Sequence, residues 1–303
     1  MRIGAMIDVD RPLSQVVEEV RGFAEGGLAS AWAVQIFAYD ALTLLGVVGT
    51  QVPGIELGTG VVPVHSRHPQ VMAQQALTVQ AATGGRLTLG VGLSHKVVIE
   101  GLWGMSYDRP ARYLREYLEA LLPMLSGSAV DARGEVVTAV TPAPLGVPGA
   151  PPPPVLVAAL GPVMLGLAGR LAEGTITWMT GVSTVGSHVV PTITEAATAA
   201  GRPRPRVAVS LPVTLTADVE QAKADVDQTY ALYATLPSYQ AMLQREGATA
   251  PSDVAIVGDE AAVRADLRRL ADAGATDFLA APSGSVEDRR RTLDLLSAVA
   301  REG

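Results

Sequence analysis

The chain has no cysteine, and Lys96 and Lys223 are its only lysines. The absence of cysteine excludes a disulfide scaffold, a thiolate zinc site and a cysteine nucleophile. The basic residues form no cluster and the net charge is -7, so we expect neither nucleic acid nor an anionic membrane surface as a partner. Any chemistry must rest on other groups and on a small-molecule substrate.

Long apolar runs are also missing. A membrane span needs about 18 uninterrupted apolar residues. The most apolar stretch, Ala41–Val52, is broken by Thr43, Thr50 and Gln51. The first residues, Met1–Asp8, predict a strand rather than the charged start and apolar centre of a signal peptide. We therefore expect a cytoplasmic protein that does not insert into a membrane.

Short apolar segments alternate with amphipathic segments along the chain, a pattern typical of βα units around a parallel sheet. The predicted strands are Arg2–Ile7, Ala31–Ile36, Ile55–Val62, Arg86–Gly92, Val155–Leu160, Thr175–Trp178, Arg206–Leu215 and Asp277–Ala281. The predicted helices are Pro12–Gly26, Tyr39–Gln51, His68–Thr83, Arg109–Ser126, Val163–Ala172, Val185–Ala200, Glu260–Gly274 and Val286–Arg301.

This alternation predicts an α/β fold, a single (β/α)8 TIM barrel over residues 1–303, with a doubly wound sheet plus an appended domain as the alternative. Two segments depart from the alternation. Residues 127–154 carry a proline cluster that fixes extended backbone, and they are expected to be irregular. Residues 218–250 are expected to form a helical insertion.

Reacting groups of TIM barrels lie on the loops that follow the strands. His95 follows the fourth strand, and its side chain titrates in the range useful for proton transfer. Gly161-Pro162 follows the fifth strand and precedes a helix, where free backbone N–H groups can bind an anion. His65 and His68 show no metal-ligand spacing, and we expect no metal site.

Four stretches, Glu56–Pro63, Arg67–Pro69, Ala73–Gly92 and Pro154–Gly181, resemble the luciferase-like superfamily in their order and spacing. Within it, they are similar to the actinobacterial class of oxidoreductases that use the deazaflavin coenzyme F420. The resemblance implies a TIM barrel with insertion segments, F420 as cofactor and a homodimer. The apolar helix Ala41–Val52 could supply the dimer contact, and core packing would explain it equally well.

The resemblance also implies site residues. Gly60-Val61 would form a cis peptide against the cofactor ring, and the backbone near Gly161 would hold its phosphate. The implied cofactor contacts are Val34, Gln35, Ile36, Thr59, Gly60, Val61, Leu93, Ser94, Ala159, Leu160, Gly161, Pro162, Trp178 and Met179. The arginines that could guide the anionic tail of the cofactor, or could simply be solvated, are Arg67, Arg109, Arg112 and Arg115.

Three positions depart from the related sugar-phosphate and alcohol dehydrogenases. Gln35-Ile36 stands where those enzymes carry an Asp-His pair, His95 replaces a glutamate, and Gly181 replaces a phosphate-binding lysine. Neither alcohol oxidation by a histidine base nor a phosphorylated sugar is therefore expected. Hydride transfer from the reduced deazaflavin to an activated C=C or C=N bond fits, with His95 as proton donor. The alternatives are an FMN-dependent monooxygenase and a non-catalytic cofactor-binding barrel.

Overall fold

Strands and helices alternate along the chain in the computed structural model, which describes residues 1–302. The strands are β1 (Arg2–Met6), β2 (Ser30–Ala33), β3 (Glu56–Thr59), β4 (Val62–Pro63), β5 (Leu87–Gly92), β6 (Asp131–Arg133), β7 (Thr138–Val140), β8 (Val155–Ala158), β9 (Gly174–Trp178), β10 (Arg206–Leu215), β11 (Ile256–Gly258) and β12 (Asp277–Pro282). The α-helices are α1 (Leu13–Gly26), α2 (Ala41–Gln51), α3 (Pro69–Ala82), α4 (Lys96–Ile99), α5 (Pro110–Leu125), α6 (Pro162–Leu171), α7 (Val182–Thr184), α8 (Val190–Ala199), α9 (Val219–Thr229), α10 (Pro237–Glu246), α11 (Glu260–Asp272) and α12 (Val286–Glu302).

The sheet closes on itself through β10. Within residues 1–302, eight parallel strands form the ring β12-β1-β2-β3-β5-β8-β9-β10, in which β10 pairs with both β9 and β12. Val209 of β10, for example, lies opposite both Thr177 and Phe278. Short strands β4 and β11 extend this ring beside β5 and β10. The predicted TIM barrel is confirmed.

The predicted strand Ile55–Val62 is divided into β3 and β4. The cause is Thr59, whose hydroxyl accepts a hydrogen bond from the Gly90 N–H (2.8 Å) and donates one to the Gly90 carbonyl (2.7 Å). A side chain thus takes the place of the backbone partner in the ladder between β3 and β5, and the regular pairing ends there.

The segment 127–154 contains an antiparallel hairpin, β6–β7, which the sequence did not predict. Three-residue strands are too short to show a period, so no pattern could mark them. The Glu116 carboxylate on α5 anchors this hairpin by accepting the N–H groups of Val136 (2.9 Å) and Val137 (3.0 Å). Pro151–Pro154 is non-helical, and residues 218–250 contain α9 and α10.

Two groups of apolar side chains fill the fold. A small one plugs the barrel interior and consists of Trp32, Leu156, Ile176, Ala208 and Leu279, capped by Met6, Val61 and Ala158. A larger one joins the outer sheet face to the helices, and the apolar side of α2 belongs to it. Core packing therefore accounts for the apolar character of α2. None of the helices within residues 1–302 combines the length and apolarity that crossing a membrane requires.

A charged network ties the strands together at the end of the barrel where they begin. Arg206 binds Asp277 with two hydrogen bonds (2.7 and 2.9 Å) and Glu56 with one (2.8 Å). Burial alone would raise the pKa of Glu56, but the Arg206 charge and hydrogen bonds from Arg2 and Thr88 lower it below its ordinary value. One guanidinium thus connects three barrel strands.

Replacing Arg206 with alanine should lower the free energy of unfolding by about 3 kcal/mol, because buried Asp277 and partly buried Glu56 lose this partner and keep only the more exposed Arg2. Urea denaturation at neutral pH measures this loss. The difference from wild type should shrink as the pH falls below 4.5, the ordinary value for Glu56, since protonation removes the charge that Arg206 stabilises. Arg204→Ala, at an exposed position two residues earlier, is the control and should change the free energy little. Equal effects of the two substitutions would contradict this account.

Candidate active site

A cavity of about 2630 Å³ opens where the barrel strands end and continues outward between α1 and α12. Its inner part is lined by the loops that follow β1, β2, β3, β5, β8 and β9, and by residues 229–239 of the insertion. The volume exceeds that of a pocket for one drug-sized ligand, about 300–1,000 Å³. The cavity can therefore hold a cofactor and a second molecule together.

Most of the site residues expected from the sequence meet in this cavity. Those that line it are Val34, Gln35, Ile36, Gly60, Val61, Leu93, Ser94, His95, Ala159, Leu160, Gly161 and Trp178. Three others do not. Thr59 and Met179 are buried, Thr59 because its hydroxyl is bound to Gly90 and Met179 because its side chain packs into the core. Pro162 begins α6 and lacks the N–H that an anion would need.

The floor of the cavity is formed around the Gly60-Val61 peptide, which is cis, as the resemblance implied. The Gly60 N–H donates to the Ala33 carbonyl (2.8 Å), and Val61 packs on the apolar plug of the barrel. A side chain at Gly90 would place its Cβ 1.9 Å from the Thr59 carbonyl oxygen. Gly90 is therefore needed for close packing beneath this floor.

Two non-glycine residues beside the cavity adopt left-handed backbone. Ser94 follows β5 with φ 60°, and Met179 follows β9 with φ 52°. Such a conformation costs about 1–3 kcal/mol and typically occurs where surrounding contacts impose it at a functional site. At Ser94 one such contact is visible, because the Tyr107 hydroxyl donates to the Ser94 carbonyl (3.2 Å).

His95 lines the cavity between β5 and α4. Its ring is tilted against that of Tyr239, with 5.5 Å between the centroids. Burial lowers the pKa of His95 below 6.5, because a partly desolvated site disfavours the charged ring. At neutral pH the imidazole is therefore mostly uncharged and can exchange a proton with a neighbouring molecule.

Helix α6 begins at the cavity without a side-chain cap among the described residues. Gly161 is its N-cap, and the space around the position of a Gly161 Cβ is open within 4 Å. The first N–H groups of the helix have no intrahelical partner, so they are available to an anion. The preceding Leu160 carbonyl is bound by the His188 Nε2 atom (2.8 Å), which comes from a π-helical turn, Val185–Val189. His188 thus fixes the loop that leads into α6, a contact that the sequence did not indicate.

One side of the cavity is an aromatic wall formed by Trp178, Tyr230, Tyr233 and Tyr239. Ring centroids are 5.2 Å apart for Trp178 and Tyr230, and 5.3 Å for Tyr233 and Tyr239, both pairs edge to face. The sequence indicated Trp178 but not the tyrosines. A signal was present, since three of the seven tyrosines lie within residues 230–239.

The arginines considered for an anionic tail are engaged within the chain. Arg67 pairs with Asp40 and also hydrogen-bonds to Gln75 (2.6 Å). Arg109 and Arg112 both pair with Glu135, and Arg115 lies 3.9 Å from Glu116 and from Glu119. Internal ion pairs therefore explain these side chains.

The two histidines on the β4–α3 connection have structural contacts. The His68 Nδ1 atom accepts the Gln70 N–H (3.2 Å) at the start of α3, and its Nε2 atom contacts the Thr138 carbonyl (2.8 Å). His65 is buried and stacks on Tyr113, with 4.4 Å between the ring centroids. Within residues 1–302, no group of three or more histidine, aspartate or glutamate side chains is arranged to hold a metal ion.

A charged cluster that the sequence did not indicate borders the cavity beside β1. The Glu19 carboxylate accepts the Asp8 N–H (3.0 Å), and Arg11 pairs with Asp8 (2.8 Å). Burial raises the pKa of Glu19. The Asp8 carboxylate also lies 3.9 Å from Arg289, whose charge acts on Tyr230 of the aromatic wall.

The sequence profile of the luciferase-like monooxygenase family matches residues 1–287. The chain belongs to this family. The match covers the whole barrel except most of α12, including every loop that lines the inner cavity.

Individual relatives are distant. An uncharacterized protein of Mycobacterium tuberculosis is 25% identical over 258 residues, which are 79% of this chain and 74% of the relative. The 5,10-methylenetetrahydromethanopterin reductase of Methanopyrus kandleri is 24% identical over 255 residues, 78% of this chain and 72% of the relative.

Two solved structures share the fold. The F420-dependent tetrahydromethanopterin reductase of M. kandleri superposes with a TM-score of 0.83 and 21% identity, covering 98% of this chain and 97% of that one. An FMN-containing Baeyer-Villiger monooxygenase of Pseudomonas putida has a TM-score of 0.76 and 17% identity, covering 98% and 97%. Both are oxidoreductases, and they use different cofactors.

The His95 ring should titrate below 6.5, because its partly buried position disfavours the cation. Histidine NMR of the whole chain across the acidic range measures this pKa, and the missing signal of His95→Gln assigns the resonance. A value at or above 6.5 would contradict the described environment of the ring.

Proposed function

We propose that this protein is a coenzyme F420-dependent oxidoreductase that transfers hydride from the reduced deazaflavin to an activated C=C or C=N bond of a small organic molecule. The observation that carries the proposal is a convergence in one cavity. The Gly60-Val61 floor, the uncapped start of α6 and the His95 side chain all line it. The reductase named above supports F420, and the Baeyer-Villiger enzyme makes FMN the alternative.

The residues present fit such a cofactor. The open space at Gly161 and the free N–H groups of the first turn of α6 would hold its phosphate, and His188 would keep this loop in place. Val61 and Leu93 would contact the ring system. Val34, Gln35, Ile36, Ser94, Ala159, Leu160 and Trp178 would complete the cofactor contacts. Bound and reduced, the deazaflavin supplies a hydride, which is two electrons and one hydrogen.

The protein's own part in the reaction is proton transfer. A C=C or C=N bond that gains hydride at one atom needs a proton at the other, and His95 is placed to deliver it. The protonated imidazole is the donor, so the rate of reduction should fall as the pH rises above the pKa of His95. The aromatic wall beside His95 would exclude water from the same space.

Two contacts argue against the reactions of the related dehydrogenases. Gln35 stands where those enzymes have the aspartate of an Asp-His pair, and its Oε1 atom is held by the Ala41 N–H (3.3 Å) and by Arg67 (3.4 Å). At Gly181, the position of the phosphate-binding lysine, a Cβ would lie 2.3 Å from the carboxyl carbon of Glu246. That carboxylate accepts the N–H groups of Ser183 (3.0 Å) and Thr184 (2.7 Å). A carboxylate of the chain therefore lies beside the position of that lysine, which disfavours a substrate phosphate there.

A carboxylate introduced at the start of α6 should weaken cofactor binding. Gly161→Asp is expected to raise the Kd of F420 at least about tenfold, because it repels the phosphate and competes for the free N–H groups. Fluorescence titration of the cofactor measures the effect. Gly161→Asn is nearly the same size and uncharged, so it is the control and should have a smaller effect. Identical Kd values for both variants and wild type would place the phosphate elsewhere.

The reaction itself is tested by anaerobic oxidation of reduced F420 in the presence of conjugated enones such as 2-cyclohexen-1-one and cyclic imines such as 1-pyrroline. We expect substrate-dependent oxidation whose rate already falls as the pH rises toward 6.5, because burial holds the pKa of His95 below that value. His95→Gln should lower kcat about 100-fold and remove this pH dependence, with F420 affinity unchanged. Oxidation that requires oxygen would favour a monooxygenase. Cofactor binding with no turnover of any acceptor would favour a non-catalytic barrel.

A further inference from the structure

We propose that the substrate of this site is an uncharged molecule with a planar, conjugated ring, and that the aromatic wall selects it. The inference deepens the proposed function and rests on it in one respect, namely that the wall faces the molecule that reacts. Binding by the wall itself does not depend on the cofactor, so the two can be tested separately.

The wall belongs to a segment without charge. Residues 228–244 contain no aspartate, glutamate, lysine, arginine or histidine, although the chain as a whole has 17% charged residues. This segment carries Tyr230, Tyr233 and Tyr239, all of which line the cavity. The segment itself offers a charged substrate no oppositely charged side chain, and taking such a substrate out of water costs free energy. The segment therefore favours neutral ligands.

The geometry of the wall suits a flat ring. Its members meet edge to face, with interplanar angles of 74° for Trp178 and Tyr230 and 75° for Tyr233 and Tyr239. Aromatic rings prefer such edge-to-face and offset contacts, which contribute about 0.5–1.5 kcal/mol beyond the area that they bury. Ile36 and Phe37, which line the same cavity, are 55% and 81% exposed, so further apolar surface is available to a ligand there.

The polar atoms of the wall are hydrogen-bonding groups rather than charges. Burial raises the pKa of Tyr233 and of Tyr239, so both phenols stay uncharged at neutral pH. Within residues 1–302, neither hydroxyl has a hydrogen-bond partner that would stabilise its phenolate. Each can donate to a carbonyl or ring nitrogen of a ligand. A conjugated carbonyl or imine, which the proposed reaction needs, offers such an acceptor.

Two charged side chains near the wall have partners inside the chain. Glu246 accepts the N–H groups of Ser183 and Thr184 at the start of α7. Arg289 lines the cavity, acts electrostatically on Tyr230 and lies 3.9 Å from Asp8, which also pairs with Arg11. This cation therefore already has a carboxylate partner, and the wall's own segment adds no charge to the site.

Three matched probes separate charge from planarity: 2-naphthamide, which is flat and neutral, 2-naphthoate, which is flat and anionic, and decahydro-2-naphthamide, which is neutral and not flat. Equilibrium dialysis against the full chain, with and without F420, gives their Kd values. We expect 2-naphthamide to bind at least tenfold more tightly than either of the others. Equal or tighter binding of the naphthoate or the saturated amide, or no binding of any probe, would overturn the inference.

Tyr233→Leu keeps an apolar side chain and removes the ring and hydroxyl. It should raise the Kd of 2-naphthamide at least about fivefold. Tyr39→Leu, at a tyrosine outside the cavity, is the matched control and should leave the Kd unchanged. Circular dichroism verifies that both variants fold, and the comparison of probes on the wild-type chain stands without either variant. If F420 fails to bind while the preference for naphthamide persists, the proposed function fails and the wall's selectivity stands. If F420 binds but 2-naphthamide is not preferred, the inference about the wall is wrong and the proposed function is unaffected.

Discussion

The hydrogen-bonded closure of the sheet through β10 is the constraint on which the rest of the structure depends. Because β10 pairs with β9 on one side and β12 on the other, strands that are distant in sequence become neighbours around one axis. The Arg206 network reinforces this closure where the strands begin. The opposite end is thereby free of this structural role, and it carries the loops that form the cavity.

Closure also explains how the site is assembled. Val61, His95 and Gly161 each follow a different strand, Trp178 ends another, and the barrel directs all four toward one cavity. Each local feature is ordinary by itself: an apolar bulge, a partly buried histidine, an uncapped helix and an indole ring. Their convergence gives a floor, an uncapped helix start and a titratable imidazole beside a wall without charged side chains. The proposed chemistry depends on that combination.

The barrel could be predicted from the sequence because each βα unit has a short apolar strand followed by a helix with periodic apolar residues. The predicted strand Arg206–Leu215, for example, has the same bounds as β10. Residues that directly follow strands, such as His95 and Gly161, could be placed for the same reason. Thr59 and Met179 could not, because sequence position does not tell whether a side chain turns into the core or the cavity. His188 and Glu246 act through contacts between distant segments, which leave no local pattern.

The central claim is that the cavity is built for a deazaflavin, and a competitive titration tests it most directly. The full-length protein is titrated with oxidised F420 and, separately, with FMN, following the fluorescence of each chromophore, and each is then displaced with the other. The account predicts saturable binding of F420 that excess FMN displaces poorly. Tighter binding of FMN, with F420 unable to displace it, would contradict the claim and assign the cavity to flavin chemistry.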